Sequence, residues 1–126
     1  MITDKASGRI LATAFCAGKK ADFALFKDSR TALSAAQSCL ADSGYQGLSK
    51  LRTNATTPQK KSKLHPLTEE DKASNRDIAR RRIGCEHALG RMKVFKILAH
   101  PYRNRRRRFG LRFNLLAAIC NLERDE

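Results

Sequence analysis

Apolar positions recur with a helical period between Ser74 and His100, where Ile78, Cys85, Ala88, Leu89, Met92 and Phe95 share one arc at about 100° per residue. No proline interrupts this stretch, and glycine enters only at Gly84 and Gly90, so a long helix is predicted. Thr68 is its expected N-cap, and Glu69 and Glu70 in the first turn suit the positive end of the helix dipole. The helix either runs unbroken to Pro101 or pauses near Ser74 and Asn75. Phe23, Phe26, Leu33 and Ala36 give a second helical face behind Asp22 as a cap. A last helix buries Phe113, Leu115, Leu116, Ala118, Ile119 and Leu122 on more than one side. Helices are thus expected at about 22–37, 68–100 and 108–122.

Between them the pattern reads as strand. Ile2 and Thr3 form a stub joined through the turn residues Asp4 to Gly8 to a strand over Arg9–Phe15. Ser38 to Asp42 is a short apolar run that meets Ser43-Gly44-Tyr45-Gln46-Gly47, a strand entering a glycine turn. Residues 53–58 suit one further short strand. A few strands and three main helices make an α/β chain, and 126 residues suit a single domain spanning 1–126.

Charge narrows the partner. Lys and Arg number 26 against 12 acids, giving +14 and a pI near 10.3. Each half of the chain carries an excess of seven positive charges, so the basicity belongs to the body and not to a tail. Such an excess calls for a polyanion, most commonly nucleic acid. No apolar run is long enough for a membrane span or a secretory signal. Cys16, Cys39, Cys85 and Cys120 lack ligand spacing and read as reduced, mostly buried thiols. With no Trp and 6% aromatic residues, base stacking on single strands is disfavoured.

Three features carry chemistry. Arg82, Glu86 and Lys93 share an arc beside the apolar stripe, spaced by four and seven residues. They form either a solvated ion-pair face or one carboxylate set among cations at a phosphate. Asp42 ends a strand at the sheet edge where ligand sites gather, and it serves there as a turn cap or as a ligand. Residues 103–112 hold six arginines, among them Arg103, Arg105, Arg106, Arg107 and Arg108. That cluster is either a solvated loop or a phosphate-binding track.

The strings ADSGYQGL, R-x3-E-x6-K, FKIL and YRNRRRRFGLRFNLLAAICNLE, in this order, resemble the C-terminal half of bacterial insertion-sequence transposases of the DDE class. The resemblance implies an RNase H-like α/β core that carries three acids. Asp42, in Asp42-Ser-Gly-Tyr-Gln-Gly47, takes the second place, and Glu86, with 43 residues between them, takes the third. The family helix signature Y-x2-R-x3-E-x6-K is met at Arg82, Glu86 and Lys93, while Ala79 stands where its tyrosine belongs. The first acid is expected upstream. Asp4 lies in the hairpin turn and Asp22 follows Ala21 at a His-Asp position of relatives, so neither substitutes for it.

The resemblance therefore implies an incomplete RNase H-like catalytic core, a transposase truncated before its first catalytic strand and its DNA-recognition region. In the intact family the acids hold Mg²⁺ or Mn²⁺ for DNA cleavage and strand transfer. This fragment is expected to bind the ion weakly or not at all and to be inactive alone. Implied partners are DNA, as transposon ends and target, with self-association or the missing N-terminal portion besides. The implied location is the bacterial cytoplasm, at the nucleoid. A non-catalytic basic nucleic-acid-binding protein is the alternative that the charge alone supports.

Overall fold

The hairpin expected at the start of the chain forms, but its strands are short: β1 (Ile2–Thr3) pairs antiparallel with β2 (Ile10–Ala12). Asp4 closes the turn, accepting the backbone N–H of Ser7 at 2.7 Å and the Ser7 hydroxyl, with Gly8 at φ +64°. The computed structural model describes every residue except Tyr102, Asn104, Arg105 and Glu126. Helix and short strand are mixed, with six α-helices and four strands among the described residues. Two compact units form, one from residues 1–15 with 83–126 and the other from residues 16–82.

In the first unit the hairpin joins α4 (Ile83–Lys93), α5 (Lys96–Ala99) and α6 (Phe109–Asp125). Ile10, Ala88, Met92, Ala117 and Cys120 are its buried centre, with Met1, Phe95, Leu98, Phe113 and Leu116 packed around them. Asn121 brackets the second strand as a neighbouring strand would, accepting the N–H of Ile10 at 2.8 Å and donating to its carbonyl at 2.9 Å. Arg9 pairs with Asp125 at 2.6 Å.

The core face of α6 differs from the expectation. Leu115 and Leu122 are exposed, as is Ala118, while small residues, Ala117 and Cys120, go inside. Packing α6 against α4 at Ala88, which is wholly buried, favours such small side chains at the contact. Burial also pushes the Cys120 thiol pKa up, and nearby Glu123 adds to the shift against Arg91. Cys120 is the fully buried cysteine; Cys16, Cys39 and Cys85 are half-buried, fewer inside than expected.

The second unit holds α1 (Asp22–Ser29), β3 (Cys39–Leu40), α2 (Leu48–Leu51), β4 (Ala55–Thr56) and α3 (Glu69–Arg81). β3 and β4 run parallel, Cys39 opposite Ala55 and Leu40 opposite Thr56. Ala41, Leu48 and Ala55 are buried beneath Phe23, Phe26, Cys39 and Tyr45. The helix expected to reach residue 37 ends at Ser29, because Arg30 adopts a left-handed conformation at φ +47°. The carbonyls beyond it are taken from elsewhere: Arg52 donates to those of Leu33, Ser34 and Gln37, and Asn54 to that of Ala35. Asp22 is the first helical residue and not a cap; Ala21 holds the cap position without a side-chain bond.

The long helix predicted from Thr68 to His100 is three helices. Its start is as expected, with Thr68 and Asp71 forming a reciprocal capping box. The first break falls at Arg82, whose backbone sits at φ −92°, ψ −5° and whose N–H is shared between the carbonyls of Ile78 and Ala79. Three consecutive arginines and Gly84 flank this point. At a second tightening, the N–H groups of Val94 and Phe95 reach back only three residues, to the carbonyls of Arg91 and Met92, and α4 separates from α5. Of the predicted stripe, Ile78, Ala88 and Met92 are buried and Cys85 and Phe95 are half-buried, but Leu89 is 36% exposed.

Candidate functional site

The turn after β3 is built residue by residue. Asp42 caps a single 3-10 turn over Ser43–Tyr45, its Oδ1 accepting the Gly44 N–H at 2.7 Å. Gly44 is required by space: a Cβ there would stand 2.9 Å from Asp42 Oδ1 and 3.3 Å from Asp22 Oδ2. Gly47 is required by conformation, at φ +93°. Tyr45 meets the Phe26 ring edge-on at 6.2 Å, and Gln46 donates to the Pro58 carbonyl at 2.9 Å. This unit therefore brings the carboxylates of Asp42 and Asp22 to one turn. In sequence Asp22 stands apart from the candidate acids, and no local pattern places it beside residue 44.

Arg82 belongs to the same unit and reaches this turn. Its Nη2 lies 3.7 Å from Asp42 Oδ2, with the Arg82 side chain 20% and the Asp42 side chain 40% exposed. Two of the sequence-selected residues, 40 positions apart, are thus an ion pair. At this distance and exposure the pair contributes little to stability, at most about 1 kcal/mol. Its interest is positional.

Glu86 and Lys93 belong to the other unit. Glu86 is exposed in the first turn of α4, and Lys93 is exposed at its last residue. Seven residues on one helix set them on the same face about 10 Å apart along the axis. Arg82 precedes the start of α4, so the single arc drawn through all three on an unbroken helix is interrupted between Arg82 and Ile83.

The arginine cluster leads into α6. Arg103 is exposed, and Arg106, Arg107 and Arg108 form an exposed 3-10 turn directly before Phe109. Arg105 lies outside the described residues. Cations at a helix N-terminus oppose the macrodipole, so helix stability does not account for this placement. Guanidinium groups presented together on one exposed turn suit an anion. His87 and His100 are exposed.

No three His, Cys, Asp or Glu side chains gather as a metal ligand set among the described residues. Asp42 already has one oxygen on the Gly44 N–H and the other towards Arg82. Within this turn Asp42 therefore offers no free pair of oxygens for a two-ion centre. No helix of the described residues is long and apolar enough to cross a membrane.

The family described as "Transposase DDE domain" matches residues 1–121. A protein of Microchaete diplosiphon, described as a probable transposase for insertion sequence element IS702, is 42% identical over 123 residues. The match covers 98% of this chain and 45% of that protein, so the chain spans about half the length of the curated relative it matches. No solved structure matches the chain.

Proposed function

The chain belongs to the insertion-sequence DDE transposases, and from that premise we propose that it is the C-terminal part of an RNase H-like catalytic domain that cuts DNA and joins strands. Asp42 takes the place of the family's second acid and Glu86 that of the third. The observation that supports this assignment is the Asp42–Arg82 pair: a cation of the helix signature stands 3.7 Å from the acid of the strand-end turn. Family chemistry uses divalent metal ions, Mg²⁺ or Mn²⁺ in this reading, which activate the attacking oxygen and stabilise the leaving one. With two candidate carboxylates, one of them engaged by Arg82, the donor set stays incomplete, and no chemical step is assigned to this chain alone.

What the chain's own residues do is hold the DNA backbone. Arg82 and Lys93 flank Glu86 in sequence and would balance the charge of a phosphate there. Arg103, Arg105, Arg106, Arg107 and Arg108 would extend the track, with guanidinium forks on phosphate oxygens. Transposon ends and target DNA are the proposed partners, and the nucleoid the proposed location. Net charge of +14 and exposed arginines also support the second reading, a nucleic-acid-binding protein without catalysis.

Nicking of supercoiled plasmid with Mg²⁺ or Mn²⁺ tests the catalytic part. The expected outcome is no cleavage above a metal-free control. Metal-dependent nicking abolished in both Asp42→Asn and Glu86→Gln would overturn the incomplete-site reading. Duplex binding tests the placement of Glu86: Glu86→Gln should leave affinity equal or slightly higher, since a charge repelling phosphate is gone. A clear loss of affinity would remove Glu86 from the DNA track.

A further inference from the structure

Leu64 is 86% exposed, the highest value among the described large apolar side chains. A lone exposed leucine is ordinary on a protein surface, but this one is mounted at the tip of a braced loop. Ser62 and His65 close a tight turn around Lys63 and Leu64. The Ser62 N–H donates to the His65 carbonyl at 3.1 Å, and the His65 N–H to the Ser62 hydroxyl at 3.0 Å. Both ends of the loop are held on α3. Asn75 brackets Gln59, accepting its N–H at 2.8 Å and donating to its carbonyl at 3.0 Å. At the other end the chain enters α3 through the Thr68–Asp71 capping box. Gln46, from the turn that holds Asp42, donates to the Pro58 carbonyl at 2.9 Å and ties the base of the loop to that turn.

The charge around the tip is of one sign. Lys60, Lys61 and Lys63 are exposed, and no acid occurs between Asp42 and Glu69. Among the described residues no carboxylate pairs with any of these three lysines. Of the acids that open α3, Glu69 pairs with Lys72 at 2.6 Å and Asp71 serves the Thr68 cap.

We propose that residues 60–67 form a DNA wedge, a role that rests on the DNA-binding function proposed above. Leu64 enters the minor groove and inserts between two base pairs, while Lys60, Lys61 and Lys63 hold the phosphates around it. A leucine has no hydrogen bond to give a base edge, so its place in a duplex is the stack. The narrow tip of the turn suits a minor groove roughly 6 Å wide. Insertion unstacks one step and kinks the duplex, so steps that unstack readily, TA and CA, are favoured without any base contact. A protein partner fits less well, because the centres of protein interfaces are poor in lysine.

The whole chain, titrated onto a short duplex with 2-aminopurine in its single TA step, tests the wedge. Anisotropy of an end label reads binding, and 2-aminopurine emission reads unstacking. Emission should rise as the complex forms. Leu64→Ala should abolish the rise while binding remains, and Leu64→Met, which keeps a long apolar side chain, should retain it. Both variants should unfold at the midpoint of the unaltered chain by circular dichroism, since the side chain packs against no core. A duplex mismatched at the labelled step should bind about tenfold tighter than the matched one, and Leu64→Ala should bring the two affinities together. Replacing Lys60, Lys61 and Lys63 by Gln should flatten the salt slope by about two to three units. Binding without a rise in emission, or a rise that survives Leu64→Ala, would overturn the wedge and leave the DNA-binding reading standing. Absence of binding to any duplex would overturn both.

Discussion

Replacing Arg106, Arg107 and Arg108 together by Gln isolates the contribution of the cluster to DNA binding. All three are exposed on one 3-10 turn ahead of α6, so their removal opens no cavity and leaves the core packing intact. If each neutralises one phosphate, log K falls by about 0.9 less per log unit of salt for every arginine replaced, and the slope flattens by roughly two to three units. The same proportionality makes affinity at 0.1 M salt about two to three orders of magnitude weaker than for the unaltered chain. The assay is fluorescence anisotropy with labelled duplexes of unrelated sequence, titrated at several salt concentrations. Affinity should drop equally on every duplex, because guanidinium–phosphate bonds carry no base information. Arg9→Gln is the control: that side chain is committed to Asp125 and should alter the slope by less than about one unit. A salt slope unchanged in the triple variant would show that the cluster is a solvated turn and not a DNA track.

Met92 is 1% exposed at the centre of the first unit, so Met92→Ala should cost about 2–5 kcal/mol in urea unfolding followed by circular dichroism. Thr68→Ala removes one half of the capping box of α3 and should cost about 1 kcal/mol, read as faster amide exchange in the first turn of that helix. The Cys120 thiol has its pKa raised by burial, so its contribution to stability is present below the unfolded thiol pKa and falls as pH rises above it. Consistent with that direction, Cys120 should react with a thiol reagent more slowly than half-buried Cys16 at a pH of about 8, near the ordinary thiol pKa. The Asp4 carboxylate is lowered chiefly by the Ser7 hydroxyl bond. The hairpin turn should therefore loosen as pH falls through that lowered value, seen as a decrease in Ser7 amide protection.

What the sequence carried locally, the structure reproduces. The strand entering the glycine turn at Asp42, the hairpin around Asp4 and the cap at Thr68 all depend on residues within a few positions of one another. The misplaced boundaries depend on distant ones. Residues 30–37 leave the helical path where Arg52 and Asn54, some 15 to 19 positions later, claim their carbonyls. The face of α6 differs from expectation because its leucines suggest burial, whereas close approach to Ala88 of α4 selects Ala117 and Cys120. Asp22 beside Gly44 is likewise a product of folding between segments, with no spacing rule behind it.

Every residue named in the Asp42–Gly47 turn has a structural task, which raises the question of why an acid stands first. Capping alone does not demand one: asparagine or serine would accept the Gly44 N–H about as well. Gly44 and Gly47 answer to space and to backbone conformation, and Tyr45 and Gln46 to packing against Phe26 and the Pro58 carbonyl. What only a carboxylate adds is a full negative charge on the second oxygen, the one that faces Arg82 at 3.7 Å. A half-buried pair of that length returns too little stability to explain the choice. The ligand role proposed above would use that charge, with Arg82 as its counter-ion. Asp42→Asn separates the two, since it keeps the cap and removes the charge. A ligand role requires stability within about 0.5 kcal/mol of the unaltered chain, together with disappearance of whatever weak Mn²⁺ affinity the chain has. A drop in stability far larger than that would make the aspartate structural.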